Sequence, residues 1–580
     1  MTENLNGPEG PLFRGVNPLL RRFFLAAFLV FAILEAGVLQ QRTASSQVPV
    51  PEDTVLVKDH TRAVVTDRIL QDAADQGAEG QLRLATEELG DLILAVRESV
   101  FDGLNPADYD VAHLEALAAR RLSGSAADPS LEGQTAEAML RSFLKLAFDL
   151  RYGRADIAGF DESWHFDRTV DPDSMVAELE RTLAQGSVRQ ALRALRPRDP
   201  VYAGLREHLA LYLRVRDTGG WAAVPPGPPI VPGAKDDRIP RIRETLSVLR
   251  DLPLPASRTS IVYDEILVAS VARFQERHGL RVTDTVDAAT VKAMSIPVER
   301  RIETLRANLE RARWFLRYQP DTALFVNIPT FDARLVAGDS VRWAGRVQVG
   351  MANRRTPVLH STIRHIEFNP LWTVPKTILE KDIIPRMARG SNIVKRKNLV
   401  MYDFRGNPVD PLAVDWSTFS KAERFPYLLR QDPGAGNALG RVKFFLPNEH
   451  GIFLHDTPSK YLFAKEQRAF SSGCVRVERP FELASALLDD REWTPAELRT
   501  IVLEGKTRTI PLRRAVPVVM TYWTATIDHA GRLVWYDDVY ASDTAVLVAL
   551  RNTEEPEQFL ATMQRKVAAP AQPDTTDVDF

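Results

Sequence analysis

Apolar residues change their spacing once along this chain of 580 residues. From Leu82 to about residue 316 they recur largely every three or four positions, which predicts helices. From Leu324 onward, runs rich in β-branched and aromatic residues alternate with turn-forming Pro, Gly and Asn, which predicts strands. A chain of this length fits about three or four domains of ordinary size. We therefore expect a multidomain α+β protein in which helical domains precede a β-rich domain.

The first 40 residues predict a targeting segment. Arg14, Arg21 and Arg22 precede an apolar run from Phe23 to Leu39 that only Glu35 interrupts. This length is near the lower limit for a bilayer span and long for the apolar core of a signal peptide. Because positive charges stay on the cytoplasmic side, we expect a single N-terminal signal anchor with the rest of the chain across the membrane. A cleaved signal peptide is the alternative.

Linkers and changes of composition divide the rest of the chain. A stretch at 221–233 is too rich in Pro and Gly for a helix interior, so it predicts a spacer between helical regions. After the signal anchor or signal peptide at 1–40, we expect a tether at 41–80, a helical scaffold domain at 81–236, a small three-helix domain at 237–300, a connecting helix at 301–318, a β-rich domain at 319–545 with a helical insertion at 376–438, and a C-terminal helix with a disordered tail at 546–580.

One cysteine, Cys474, occurs in the whole chain, so neither an internal disulfide nor a zinc site of several thiolates can form. It follows Ser471-Ser472-Gly473 on a predicted tight turn between a strand and a helix, and His455 lies 19 positions upstream at the end of a short strand. A free thiol is mostly protonated at neutral pH and needs a base within reach to act as a nucleophile. We predict Cys474 as the nucleophile and His455 as its general base and acid; a buried, unreactive cysteine is the alternative.

The residues around the cysteine suit chemistry at a carbonyl group. Gly473 lets the backbone approach a substrate, and the N–H groups of Gly473 and Cys474 can point at a developing oxyanion. The positive charge of Arg476 could lower the thiol pKa, hold a substrate carboxylate or fix the turn to which Ser472 also belongs. Three further residues are weaker candidates for lining a substrate groove, since each is as readily a core residue: Trp372, Asn369 and Phe453.

The spacing of these residues resembles the H-x(14–17)-[S/T]-H-G-C signature of the YkuD-type L,D-transpeptidase domain: His455, fifteen intervening residues, then Ser471-Ser472-Gly473-Cys474-Val475-Arg476. Two positions depart from it, because Ser472 stands where the family often has His and Asp456 where it often has Gly. The runs HDTPSKYLF and RAFSSGCVRV resemble the large YcbB-like branch. The runs GLNPADYD, LRYGRAD and LRPRDPVYAGLREHLALY resemble the scaffold domain of that branch, and FQERHGL at 274–280 resembles a three-helix peptidoglycan-binding module.

The resemblance implies a periplasmic cell-wall enzyme with a β-rich YkuD-type catalytic domain. It implies an L,D-transpeptidase that forms 3→3 peptidoglycan cross-links through a thioester on Cys474, with donor and acceptor stem peptides as partners and without cofactor or metal. It also implies that a main-chain carbonyl orients His455, and we expect this carbonyl to come from the Ser471–Gly473 turn. It further implies that the insertion at 376–438 caps the groove. L,D-carboxypeptidase-type hydrolysis, attachment of an envelope protein, a catalytically inactive peptidoglycan-binding protein, other wall-synthesis partners and the number of associating chains stay open.

Other function classes fit the sequence less well. A formal net charge of −2 argues against a nucleic-acid binder that neutralises many phosphates. None of the ten histidines forms the H-E-x-x-H motif of zinc hydrolases. A papain-like hydrolase would place the cysteine before the histidine, and the order here is reversed.

Overall fold

The computed structural model describes residues 84–551 apart from 126–128, 156, 158–162, 166–171, 254–256, 258, 318, 420–424 and 490–491. The predicted signal segment at 1–40, the tether at 41–80 and the tail from 552 onward lie outside the described residues. Within the described ranges, no helix combines the length and the apolar composition needed to cross a membrane. This finding corrects the predicted localisation of a periplasmic protein held in the inner membrane by one N-terminal helix, since no described helix supports such an anchor.

Helices dominate the described chain up to residue 315. Their bounds are α1 Leu89–Glu98, α2 Val111–Arg120, α3 Pro129–Tyr152, α4 Pro172–Ala184, α5 Val188–Ala194, α6 Pro200–Asp217, α7 Ile239–Val248, α8 Glu265–Arg277, α9 Ala288–Met294 and α10 Val298–Phe315, with one short strand, β1 Trp164–His165, between α3 and α4. Helices α1 to α5 share one apolar core, to which α3 contributes the helically spaced Met139, Phe143 and Leu150. The predicted helical region before the β-rich part is therefore confirmed.

Helices α7, α8 and α9 form a small unit around a separate apolar core that includes Ile242, Leu267 and Met294. Asp264 and Asp287 begin α8 and α9, and the side chain of each accepts a hydrogen bond from a backbone N–H of the first turn. Such caps satisfy N–H groups that have no partner within a helix. This unit has the three helices that the sequence predicted.

The strands that follow are β2 Thr322–Asn327, β3 Asp332–Ala337, β4 Ser340–Gly350, β5 Val358–Phe368, β6 Trp372–Thr373, β7 Val400–Asp403, β8 Pro408–Val409, β9 Tyr427–Gln431, β10 Val442–Phe444, β11 Leu454–His455, β12 Ala469–Ser471, β13 Val475–Val477, β14 Arg508–Thr521, β15 Ala525–Ile527 and β16 Leu533–Trp535. The main sheet has the order β1-β5-β10-β11-β13-β4-β3-β2-β14, with β12 beside β4. Strand β14 also pairs with β5, so the path from β5 to β14 closes on itself. Three short helices, α11 to α13, lie between β6 and β7 and are described next. Helices α14 Pro480–Leu488, α15 Pro495–Leu503 and α16 Ser542–Arg551 complete the described chain.

The predicted insertion at 376–438 is not purely helical. It contains the short helices α11 Lys376–Ile378, α12 Ile384–Ala388 and α13 Ile393–Arg396, and a π-helical turn at Leu379–Ile383. Strands β7, β8 and β9 of this segment join β6 in a second sheet of four strands. These strands are only two to five residues long, too short for alternation in the sequence to reveal them. The insertion has its own apolar core.

The two faces of the main sheet differ where β10, β11, β13 and β4 lie side by side. On one face, Phe444, Leu454 and Val475 are fully buried in the main apolar core. On the other face four polar residues lie level across the strands, and we call them the polar row: Lys443, His455, Arg476 and Gln348. Side chains alternate between faces along a strand, so the polar row projects away from the core.

Candidate active site

The parallel pair β11–β13 has the predicted base, His455, on one strand and the predicted nucleophile, Cys474, directly before the other. His455 is level with Arg476, and the N–H of Val475 donates to the carbonyl of Phe453 at 2.9 Å. Cys474 precedes Arg476 by two residues and therefore shares its face of the sheet. His455 and Cys474 are thus diagonal neighbours on the same face of the sheet.

The imidazole of His455 is buried and held in one orientation. Its side chain is only 5% exposed, and Nδ1 donates to the backbone carbonyl of Asp456 at 2.5 Å. A carbonyl can only accept, so Nδ1 carries the proton and Nε2 is left to act as the base. Our prediction of a carbonyl from the Ser471–Gly473 turn was wrong about the residue. The acceptor is the carbonyl of the next residue in the chain. The Asp456 N–H donates to the carbonyl of Val442 at 2.8 Å, which holds this residue beside β10.

The surroundings of His455 favour the neutral imidazole. Burial lowers its pKa from 6.5 to about 3, and the positive charges of Arg476 and Lys443 act in the same direction. The backbone carbonyls of Asp456 and Leu439 oppose this change without reversing it. At pH 7 the imidazole is therefore uncharged, and the same shift makes it a weaker base than a histidine of ordinary pKa.

The thiol of Cys474 is half-buried and forms no disulfide. Its Sγ lies 3.7 Å from the carbonyl oxygen of Gly451. Burial raises the pKa of the thiol above its ordinary value, although the backbone N–H of Phe453 and the charges of Arg476 and Lys443 act in the opposite direction. The sequence suggested that Arg476 lowers the thiol pKa, and the structure corrects this because burial outweighs the nearby charges. The resting pair is a neutral thiol and a neutral imidazole, which calls for removal of the proton during attack.

The side chain of Ser471 shapes the turn that carries the thiol. Its Oγ accepts from the N–H of Gly473 at 3.1 Å and donates to the carbonyl of Cys474 at 2.5 Å. Gly473 has a φ of +117°, and a Cβ there would lie 3.3 Å from Ile452 Cδ1, so the turn requires glycine. The Gly473 N–H that we predicted as an oxyanion donor is thus engaged with Ser471, and the Cys474 N–H is the remaining candidate.

A loop after β4 supports the same turn from the other side. Thr356 Oγ1 donates to the carbonyl of Gly473 at 2.7 Å and accepts from the N–H of Gly350 at 2.8 Å. The Tyr540 hydroxyl donates to the carbonyl of Gly350 at 2.6 Å and accepts from the Thr356 N–H at 3.2 Å. A Cβ on Gly350 would lie 2.0 Å from the carbonyl oxygen of Arg354, so this tight loop also depends on a glycine. The backbone on both sides of Gly473 is therefore fixed by buried hydrogen bonds.

Ser472, the predicted turn residue that departs from the family signature, contacts the same loop. Its Oγ accepts from Arg354 Nη1 at 2.9 Å. Sequence reasoning missed Arg354, Thr356 and Tyr540. The Thr356-Pro357 pair at the end of a predicted turn was the one signal available for this loop, whereas nothing in the sequence connects Tyr540 with the cysteine.

Arg476 lies in the polar row and is only 5% exposed. Its Nη1 donates to Gln348 Oε1 at 3.3 Å. On the other side of His455, Lys443 Nζ lies 4.2 Å from the centre of the Phe453 ring. These cations act on His455 and Cys474 through their charge.

Asp456, the second departure from the family signature, fits a space left by a glycine. A Cβ on Gly440 would lie 2.5 Å from the Asp456 side chain. Asp456 Oδ2 accepts from the backbone N–H of Arg441 at 2.9 Å. Burial raises the pKa of this carboxyl, and Lys460 Nζ, 3.8 Å from Oδ1, opposes the rise. The Asp456 side chain thus packs against Gly440 and is hydrogen-bonded to the backbone of Arg441.

The three weaker candidates have different positions. Asn369 is fully buried, and its Nδ2 donates to the carbonyls of Val502 and Lys506, so it serves the fold and not a groove. Phe453 is half-buried beside the cysteine. Trp372 belongs to the core of the insertion. It also lines a pocket of about 290 Å³ between the insertion and the segment at 458–461, together with Arg396, Lys397, Gln431 and Tyr461. In the described part of the chain, no group of three or more His, Cys, Asp and Glu side chains could hold a metal ion.

Family models match three segments of the chain. Residues 321–509 match the L,D-transpeptidase catalytic domain named YkuD. Residues 81–209 match the model described as "Scaffold domain", and residues 241–294 match the model described as "Putative peptidoglycan binding domain". Residues 321–509 are thus similar to the YkuD-type L,D-transpeptidase catalytic domain, as the sequence predicted.

A curated protein of Haemophilus influenzae, named "Putative L,D-transpeptidase", is 37% identical over 247 residues. The match covers 42% of this chain and 50% of that protein, so the chain spans about half the length of this relative.

Two crystal structures of L,D-transpeptidases were also found. The one from Xylanimonas cellulosilytica is 12% identical, covers 51% of this chain and 99% of that chain, and has a TM-score of 0.17. The one from Stackebrandtia nassauensis is 11% identical, covers 52% of this chain and 96% of that chain, and has a TM-score of 0.19.

Proposed function

We propose that this chain is a cell-wall L,D-transpeptidase that forms 3→3 peptidoglycan cross-links through a thioester on Cys474. The observation that carries the proposal is the placement of a neutral, oriented imidazole at the end of β11 and of the half-buried Cys474 directly before the adjacent strand β13. This pair lies within the segment that matches the catalytic-domain model. Peptidoglycan stem peptides are then the donor and the acceptor, in keeping with the separate match to a peptidoglycan-binding model.

The first half-reaction forms the thioester. His455 Nε2 takes the proton of the Cys474 thiol while Sγ attacks a carbonyl carbon of the tetrapeptide stem. This carbonyl belongs to the L,D-type amide that precedes the terminal D-alanine. The carbonyl π bond breaks and its oxygen becomes an oxyanion, for which the Cys474 N–H is the candidate donor. Collapse of this intermediate breaks the amide C–N bond, and D-alanine leaves with the proton that the imidazolium returns.

The second half-reaction transfers the acyl group. The side-chain amine of a second stem attacks the thioester carbonyl, and His455 accepts a proton from that amine. The C–S bond then breaks, Sγ recovers the proton, and the new amide is the cross-link. Water in place of the amine would give hydrolysis, so the choice between cross-linking and cleavage depends on which nucleophile reaches the thioester.

The segment at 376–438 is the proposed capping subdomain of this site. It has its own core and contributes Asp382 to a contact near the cysteine-bearing turn. The predicted domain boundaries, including 319–545 for the catalytic domain, stay predictions.

A catalytically inactive wall-binding protein was the main alternative, and two departures from the family signature motivated it. Ser472 is hydrogen-bonded to Arg354. Asp456 is accommodated by Gly440. Because both side chains have partners of their own and the His455 imidazole remains oriented by the Asp456 carbonyl, we favour an active enzyme.

The full chain should be incubated with purified tetrapeptide muropeptides and the products identified by mass spectrometry. We expect cross-linked dimers and released D-alanine from the wild type, and neither product from Cys474→Ala. That substitution removes one half-buried sulfur, so we expect it to change the free energy of unfolding by about 1 kcal/mol or less.

Incubation with a carbapenem gives an independent measurement, because only an activated thiol should form the covalent adduct. His455→Gln serves as the matched variant that keeps the cysteine but removes the base. Turnover by Cys474→Ala would refute the nucleophile. Release of D-alanine without dimers from the wild type would replace transpeptidation with hydrolysis.

A further inference from the structure

A buried ion pair connects the insertion with the turn that carries Cys474. Arg354 Nη1 lies 2.5 Å from Asp382 Oδ2, and Arg354 Nη2 lies 2.8 Å from Asp382 Oδ1, so the pair is bidentate. The same Nη1 donates to Ser472 Oγ at 2.9 Å. The side chains of Arg354 and Asp382 are only 12% and 9% exposed. One guanidinium therefore joins a carboxylate of the insertion to the residue two positions before the cysteine.

The two ends of this connection are held by different parts of the structure. The backbone N–H of Arg354 donates to the carbonyl of Met351 at 2.8 Å, and the Met351 N–H donates to the carbonyl of Ser471 at 2.9 Å. The loop that carries Arg354 is thus tied to the turn itself. Asp382 instead lies in the π-helical turn of the insertion, where its neighbour Ile383 belongs to the insertion core.

The chemistry of the pair suits transmission of position. A bidentate guanidinium–carboxylate pair fixes direction as well as distance, and burial makes it costly to separate the two charges. If the insertion shifts, the Asp382 carboxylate shifts with the core behind it, and the guanidinium must follow or lose its partner. Among the hydrogen bonds of the described residues, the guanidinium contacts one residue of the Ser471–Cys474 turn, which is Ser472. Single π-helical turns within helices are frequent at functional sites.

We propose that Arg354 and Asp382 are positioning residues that couple the placement of the insertion to the placement of the Cys474 thiol. This inference rests on the proposed function, because it uses acylation of that thiol as its readout. With the pair intact, Ser472 holds the turn in the geometry for attack. Without it, the thiol remains present and accessible but is less well aligned with the carbonyl.

The test compares the rate of acylation by a carbapenem in the full chain and in Asp382→Asn, Arg354→Met and Arg354→Lys. We expect the acylation rate constant at saturating carbapenem to fall about 10- to 100-fold in the first two variants, since a small misplacement of a reacting group has effects of this size. The carbapenem concentration that gives half of the maximal rate should change little. Arg354→Lys keeps one charged donor and should recover part of the rate. Lys381→Gln is the matched control, because Lys381 is exposed and adjoins Asp382.

A double substitution distinguishes positioning from a general loss of structure. In a Ser472→Ala background the guanidinium has lost its contact with the turn, so adding Asp382→Asn should cause little further loss of rate. Independent, multiplying effects of the two substitutions would overturn the proposal. So would wild-type acylation by Ser472→Ala, which removes the contact without touching the ion pair and so stays informative if Asp382→Asn does not fold.

Failure of the inference and failure of the proposed function give different results. If the wild type forms no adduct, the proposed function fails, and the coupling fails with it. If the wild type reacts and the Asp382 and Ser472 variants react equally fast, only the coupling is wrong.

Discussion

Lowering the pH from 7.5 to 5 should leave the rate of Cys474 acylation almost unchanged. The reason is that burial and the charges of Arg476 and Lys443 lower the pKa of His455 to about 3. A histidine with its ordinary pKa of about 6.5 is only about 3% neutral at pH 5, whereas one with a pKa of about 3 is about 99% neutral. The folded-state pKa lies below the ordinary value, so the neutral base is present throughout the range above it and is lost only as the pH falls through about 3.

The expected change in rate between pH 7.5 and pH 5 is therefore less than about 1.5-fold, against about 30-fold for an unperturbed histidine. The measurement is the initial rate of carbapenem adduct formation on the full chain, quenched at intervals and followed by intact-protein mass spectrometry. Cys474→Ala provides the blank, and circular dichroism at each pH confirms that the chain stays folded.

A charge variant tests the cause of the shift. Lys443→Met keeps an aliphatic chain beside the Phe453 ring but removes one positive charge that disfavours the imidazolium. The acid limb of the rate profile should then move to higher pH without reaching the ordinary value, because burial is the larger cause. A wild-type limb with its midpoint near 6.5 would refute the reasoning, and so would a Lys443→Met limb that moves to lower pH.

Two further predictions concern the backbone around the site. Gly440→Ala should lower the free energy of unfolding by about 2–5 kcal/mol, because a Cβ at φ +64° would lie 2.5 Å from the Asp456 side chain. In an Asp456→Gly background, Gly440→Ala should lose only about 1–2 kcal/mol, because the steric part is removed and the left-handed backbone remains. Equal losses of unfolding free energy in the two backgrounds, measured by denaturant titration, would contradict the packing described. Thr356→Val should leave the Gly350 N–H and the Gly473 carbonyl unpaired, at about 1–3 kcal/mol each, and slow acylation. Thr356→Ser should keep both bonds, and equal acylation rates in the two Thr356 variants would exclude a role for the hydroxyl.

The order of helices and strands could be predicted because spacing reports which side of an element is buried. The helical spacing in α3 and the run of strands from β2 to β5 are visible in the sequence and appear in the structure. The neighbouring positions of the segments that carry Cys474 and His455 were also predictable, since the signature contains both residues at a fixed spacing. Spacing does not report how strongly burial acts on a single thiol, so the pKa of Cys474 is raised where we expected it to be lowered.

The residues that support the turn could not be predicted, because they are distant in sequence. Ser472 lies 118 positions from Arg354, and Tyr540 lies 184 positions from Thr356. Each contact depends on strands that pair only after the sheet has closed. Asp382 was hidden for another reason, since a carboxylate in a short, irregular helix looks like an ordinary surface residue until a buried partner is identified.

Strand β14 bears on how this protein can be shortened. It lies between β5 and β2 and closes the main sheet, yet the segment that matches the catalytic-domain model stops at residue 509, one residue after the strand has begun. A fragment cut at that residue would expose the backbone donors and acceptors of two strands, which are templates for pairing with other copies and for aggregation. It would also lack the tyrosine hydroxyl that holds Gly350. A workable fragment for expression should therefore extend through α16, even though its last segment carries none of the reacting groups.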